Sequence, residues 1–131
     1  MKTLQTGSVL SENGREGRVE SPDGRLNIDF AAPGETITAE HLFAAAYAAC
    51  FHSALKSAAR RAHRSIEGAT VRVDVHLNEI SEHDAQLSVE IKASIPGVGE
   101  SDARSLLNQA HATCPYSKAL RGNADVTLSL D

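Results

Sequence analysis

No stretch of this chain is apolar for long enough to cross a bilayer. The most apolar run, Leu42 to Phe51, covers ten residues, and a membrane helix needs roughly twenty. The opening residues, Met1-Lys2-Thr3-Leu4-Gln5-Thr6-Gly7, carry no apolar segment of the export-signal kind. The expectation is a soluble, cytoplasmic protein. Positive charge is also scarce. The formal charge is −4, and no basic stripe is available to neutralise phosphates, so nucleic acid is not an expected partner. The one dense basic spot, Arg60-Arg61-Ala62-His63-Arg64, reads as the cationic end of a helix, where positive side chains suit the dipole.

Several catalytic signatures are missing as well. Gly97-Val98-Gly99 is too short to open a dinucleotide loop. There is no Gly-x-Ser-x-Gly elbow, no signal for paired carboxylates, no internal repeat and no low-complexity segment. Only two cysteines occur, Cys50 and Cys114. A reducing compartment disfavours permanent disulfides, so these residues are either small core side chains or working thiols.

What is present suffices for one folded domain over residues 1–131, because 41% of the chain is hydrophobic. Asn13-Gly14 and Asp23-Gly24 are hairpin-type dipeptides, and Leu26, Ile28 and Phe30 alternate as on a half-buried strand. Residues 31 to 36 read as a loop. A long helix is predicted next, with Thr38 as its N-cap and Glu40 in its first turn. Its apolar positions Leu42, Phe43, Ala46, Tyr47, Cys50, Phe51, Ala54, Leu55 and Ala58 recur at helical spacing. Nothing interrupts Ala39 to Ile66, and Gly68 supplies the stop. Val71, Val73, Val75 and Leu77, then Leu87, Val89, Ile91, Ala93 and Ile95, alternate as two strands joined through Ser81-Glu82-His83-Asp84. Ser101 or Asp102 opens a second helix carrying Ala103, Leu106, Leu107 and Ala110. Pro115 then breaks the chain and starts a new helical turn with Cys114 at its N-cap. Val126, Leu128 and Leu130 form a last strand. The pattern is α+β, without βαβ alternation. Because no face of Leu42 to Phe51 is charged, that helix needs cover on all sides, and a second subunit is expected to supply part of it.

Cys50 lies within the apolar run, where burial raises a thiol's pKa and makes it a poor nucleophile. A nucleophilic role needs an imported cation, since Lys56 is six residues on and the arginines begin at Arg60. Cys114 differs, because unpaired N–H groups at a helix start favour a thiolate; the alternative for it is a plain capping residue. A zinc site from Cys50, His52, His111 and Cys114 has the donor types. However, residues two apart on a helix point about 200° apart, so Cys50 and His52 do not face one metal.

At this level the sequence resembles a known family. Glu40-His41-Leu42-Phe43-Ala44-Ala45-Ala46-Tyr47-Ala48-Ala49-Cys50-Phe51 is similar to the first cysteine helix of the organic hydroperoxide resistance proteins, relatives of the osmotically inducible peroxidases. Cys114-Pro115-Tyr116-Ser117 with Arg121-Gly122-Asn123 resembles their second cysteine motif, and Gly14-Arg15-Glu16-Gly17-Arg18 their N-terminal arginine turn. The motifs follow the family's order, and the likeness runs from about residue 11 to the C-terminus. Tyr116 after Cys-Pro and the Leu-Phe-Ala-Ala run favour the hydroperoxide resistance branch.

The resemblance implies an intertwined α+β homodimer, with antiparallel sheets and a long central helix carrying the first cysteine. It implies that Cys50 is the peroxidatic thiol and Cys114 the resolving one. Arg15 would stabilise the thiolate and the peroxide, and Glu40 would hold Arg15. Alkyl and fatty-acid hydroperoxides are the implied substrates, and dihydrolipoamide or a lipoylated protein the implied reductant. No metal, haem or flavin is implied. Leu42, Phe43, Tyr47, Phe51 and Tyr116 are the candidate apolar walls for the substrate. Glu40 and Cys50 lie ten residues apart, about 15 Å along a helix axis. A site using both is therefore expected to combine two chains, unless the helix breaks between them. The sequence departs from the family in a short loop at 31–36, in Ala39 where proline is frequent, and in Ala46 where glycine is frequent. These departures bear on pocket size. Two alternatives remain open at this stage: a peroxidase of the osmotically inducible branch with broader substrates, and a non-catalytic redox-sensing dimer.

Overall fold

Glycine and asparagine shape the beginning of the chain. Asn13 and Gly14 both take positive φ, 64° and 63°, which a tight reversal demands. A 3-10 turn follows over Gly14–Glu16 and carries Arg15. Gly17 closes it where a Cβ would collide with the carbonyl oxygen of Glu12, so the Gly-Arg-Glu-Gly spelling of the turn has a steric cause. The computed structural model describes residues 1–131, in two units, Met1–Ala39 and Glu40–Asp131. In the first unit, β1 (Leu10–Glu12), β2 (Arg18–Glu20) and β3 (Asn27–Asp29) form a three-stranded antiparallel sheet in the order β1-β2-β3. The predicted alternation of Leu26, Ile28 and Phe30 survives as one short strand, with Ile28 and Phe30 half-buried and Leu26 exposed. Residues 31–36 contain turns, as predicted.

The second unit opens with α1 (Ala39–Arg61), twenty-three unbroken residues. Tyr47, Phe51, Leu55, Ala58 and Ala59 form its buried stripe, at the spacing of one helix face. Burying Phe51 and Leu55 stabilises the fold by about 1.5–3 kcal/mol each as an upper bound. The helix ends earlier than predicted. His63, at φ 55°, takes the left-handed position expected of Gly68. Its N–H bonds the Arg60 carbonyl at 3.1 Å, and the Arg64 N–H bonds that of Ala59 at 2.9 Å. These are the two paired bonds of a Schellman stop, and histidine tolerates that region better than most residues. Arg60 and Arg61 occupy the last turn as expected, while Arg64 turns away to an ion pair with Asp102.

The strands β4 (Thr70–Ser81) and β5 (Asp84–Ser94) make a long antiparallel hairpin, its register shifting between Glu79 and Ser81. Ser81 and Asp84 face each other as strand ends, so the turn is shorter than the four residues predicted. The helices α2 (Glu100–Thr113) and α3 (Pro115–Leu120) lead to β6 (Asp125–Leu130). Gly99 caps α2, so the helix begins at Glu100, one or two residues before the expected Ser101 or Asp102, and the Gly99 carbonyl accepts the Ala103 N–H at 2.8 Å.

The expectation of wholly antiparallel sheets needs correction here. β6 pairs with β5 in parallel, giving a mixed sheet in the order β4-β5-β6. A parallel neighbour requires a crossover long enough to return to the strand's starting end, and α2 with α3 provide it. Three rows cross the sheet: Val75-Val89-Val126, Val73-Ile91-Leu128 and Val71-Ala93-Leu130. Their β5 members are buried in one cluster with the α1 stripe, Ala103, Leu106, Leu107, Ala110 and Cys114. No helix is long and apolar enough to cross a membrane.

Candidate active site

Cys114 ends α2 and caps α3. Its backbone is extended (φ −61°, ψ 122°), and Pro115 follows at the first helical position, as its fixed φ and missing N–H predict. Its own N–H still bonds the Ala110 carbonyl at 2.8 Å, and its carbonyl accepts the Lys118 N–H at 2.9 Å. The residue is thus pinned on both sides, and its side chain is fully buried. Cys50 lies on α1, half-buried. The two sulfurs are 3.7 Å apart across 64 residues of sequence, and both are free thiols.

Burial pushes the Cys50 thiol above its ordinary range. The neighbouring Cys114 sulfur pushes the same way by hydrogen bonding and charge, while the backbone N–H of Tyr116 opposes both. Cys114→Ser should therefore lower the pKa of Cys50, because it removes a second ionisable sulfur. The check is the pH dependence of Cys50 alkylation by iodoacetamide, whose midpoint should move down; an unchanged or higher midpoint would contradict this electrostatic picture.

One turn below the thiols, the Tyr47 hydroxyl meets Ser117 Oγ at 2.6 Å. Both side chains are fully buried. Burial raises the Tyr47 hydroxyl above the usual tyrosine range, against the effect of the Ser117 bond, so the phenol stays protonated. The aromatic rings of Phe43, Phe51 and Tyr116 surround that of Tyr47, with centroids 6.5, 6.4 and 6.0 Å away. His111 lies one turn before Cys114. Burial, and then the charge of Arg121, press its imidazole below the ordinary range. The Arg121 guanidinium meanwhile donates to the His111 carbonyl at 2.8 Å.

Of the residues singled out from sequence, the fold brings Cys50, Cys114, Tyr47, Phe51, Phe43 and Tyr116 into one neighbourhood. Tyr47 and Phe51 are enclosed in the core, Leu42 and Phe43 are half-buried, and Tyr116 is 40% exposed. Arg15 stands on the 3-10 turn of the first unit and Glu40 in the first turn of α1. His52 lines a groove of about 660 Å3 with Ser53, Lys56 and Arg60, a different side of α1 from the one Cys50 turns to Cys114. The residue that sequence reasoning passed over is Ser117. Its signal was its place three residues after Cys114, facing a tyrosine three residues before Cys50.

These features define an α+β protein with a dithiol gathered from two helices. Residues 32–129 match the family model described as OsmC-like protein. The organic hydroperoxide resistance protein OhrA of Bacillus subtilis is 38% identical, over 97% of this chain and 96% of that protein. The structure of an organic hydroperoxide resistance protein from Legionella pneumophila superposes with a TM-score of 0.90 at 40% identity, covering 99% of both chains. That of OhrB from Bacillus subtilis gives 0.89 at 38% identity, covering 98% of this chain and 100% of that one. The chain belongs to the OsmC family, in its organic hydroperoxide resistance branch.

Proposed function

We propose that this protein is a cysteine-based peroxidase that reduces organic hydroperoxides to alcohols. The observation that carries the reading is the pair of free thiols 3.7 Å apart, one of them at a helix N-cap. The names of the relatives, organic hydroperoxide resistance proteins, supply the substrate class. In the first step the Cys50 thiolate attacks the outer peroxide oxygen. The O–O bond breaks, the alkoxide leaves with a proton as the alcohol, and Cys50 becomes a sulfenic acid. In the second, the Cys114 sulfur attacks Cys50, expelling water and forming a disulfide. A lipoyl-type dithiol then reduces the disulfide by exchange and is itself oxidised to its cyclic disulfide.

Cys50 is a reluctant acid by itself, so the reading assigns Arg15 to stabilise its thiolate and to orient the peroxide through the guanidinium fork. Glu40 orients Arg15. The working form is a homodimer. In support, Ala45 and Ala49 on the uncharged segment of α1 are exposed in the chain and Leu42, Ala44, Ala46 and Ala48 are only half-buried, so one side of that helix still lacks cover. Leu42, Phe43 and Tyr116 are the accessible candidates for contact with an alkyl chain, with Tyr47 and Phe51 supporting them from the core.

Steady-state turnover tests the proposal. Dihydrolipoamide should sustain reduction of cumene hydroperoxide faster than thioredoxin or glutathione does, and cumene hydroperoxide should outpace hydrogen peroxide. Equal rates with both peroxides would favour the broader branch, and a single turnover with every dithiol would favour a sensor.

A further inference from the structure

We infer that Tyr47 and Ser117 are a positioning pair that holds Cys114 in register with Cys50 until the disulfide has formed; this rests on the peroxidase reading above. The two contacts are rungs of one ladder. Tyr47 precedes Cys50 by three residues on α1, and Ser117 follows Cys114 by three at the start of α3. The thiols meet at 3.7 Å on one rung and the hydroxyls at 2.6 Å on the other. Residues three apart share a helix face, so fixing one rung fixes the other.

Apart from the Tyr47–Ser117 bond, α3 is held by apolar contacts, the half-buried Leu120 on the core and the Tyr116 ring beside Tyr47, which are non-directional and do not fix a register. It has only six residues, and Ser117 is its one buried side chain. The Ser117 and Tyr47 side chains are both fully buried, and each hydroxyl is the other's partner. If α3 slid or lifted, two buried hydroxyls would lose their hydrogen bond together, a penalty that confines the helix to one register. The chemistry needs that confinement. The sulfurs must close from 3.7 Å to a bond of about 2.05 Å while an oxygen sits on Cys50. A second hydroperoxide competes for the same sulfenic acid, giving up one oxygen to form the sulfinic acid and leaving as its alcohol.

Ser117→Ala tests this, with Cys50 oxidised by increasing amounts of cumene hydroperoxide and the products counted by mass spectrometry. Loss of the Cys50 thiol in the first step should keep its wild-type rate. Disulfide formation should slow by roughly ten- to a hundredfold, the scale on which a positional error of about 1 Å acts, and sulfinic acid should rise accordingly. Tyr47→Phe, which keeps the ring, should raise sulfinic acid equally. In a Cys114→Ser background neither substitution should change the sulfinic yield, because no resolution step remains to be slowed. Wild-type partitioning in both variants overturns the inference. So does an equal rise in the Cys114→Ser background, or outright unfolding of either variant, since both show a structural role alone. If wild-type Cys50 is not oxidised at all, the peroxidase reading itself has failed.

Discussion

Cys50→Ser is expected to consume no hydroperoxide, whereas Cys114→Ser should lose sustained turnover, consuming one equivalent per site in the first oxidation and at most two more by over-oxidation. The difference follows from the order of the steps. A serine hydroxyl at position 50 supplies no thiolate, and Cys114 does not substitute for it: its side chain is fully enclosed and pinned between α2 and α3, so peroxide reaches the half-buried sulfur first. Without Cys114 the first oxidation still proceeds, but the sulfenic acid has no partner at 3.7 Å. Further peroxide should then convert it to sulfinic and sulfonic acids. Peroxide consumption at limiting and excess substrate, with mass analysis of residue 50, separates these outcomes. Normal turnover by Cys50→Ser would reverse the two cysteine roles or remove them.

Arg15→Ala should slow the attack on peroxide by about a hundred- to a thousandfold, the range for losing one well-placed electrostatic donor. Arg15→Lys should recover little of it, since an ammonium lacks the planar fork, and Glu40→Gln should be milder than either. The continuity of α1 gives this assignment a geometric consequence. The helix runs unbroken from Ala39 to Arg61, so Glu40 and Cys50 of one chain stay about 15 Å apart along its axis. With no break to fold the chain back, a site in which one arginine serves both groups is expected to draw them from two copies related by a two-fold axis. Mixing inactive Cys50→Ser with inactive Glu40→Arg subunits should restore activity, because one of the two sites in the mixed dimer holds both wild-type groups. Folded heterodimers without activity would refute the shared site, and a Cys50 alkylation profile identical in wild type and Arg15→Ala would refute the role of Arg15.

Periodicity made much of this architecture legible. Tyr47, Phe51, Leu55 and Ala58 announced a helix face, and the alternating valines announced β4 and β5. Cys114-Pro115 announced a helix start, because proline's geometry is local. What sequence could not reveal depended on distant partners. Nothing in Val126 to Leu130 tells a parallel from an antiparallel neighbour; the length of the crossover through α2 and α3 decides it. The stop at His63 displaced the one expected at Gly68, since two backbone hydrogen bonds outweighed the preference for glycine. The thiol contact was foreshadowed by family likeness, while the Tyr47–Ser117 bond spans 70 residues and was marked only by the matching three-residue offsets from the two cysteines.

The sequence separation of the two sulfurs has a further effect, on the denatured chain. The two cysteine positions are 64 residues apart in sequence, roughly half the protein. In the proposed cycle, a disulfide across them would forbid most of the extended conformations open to the reduced chain, worth roughly 4 kcal/mol by loop-closure entropy. The oxidised protein would then be the harder of the two to unfold, and each reduction by the dithiol would return the chain to its more easily melted form.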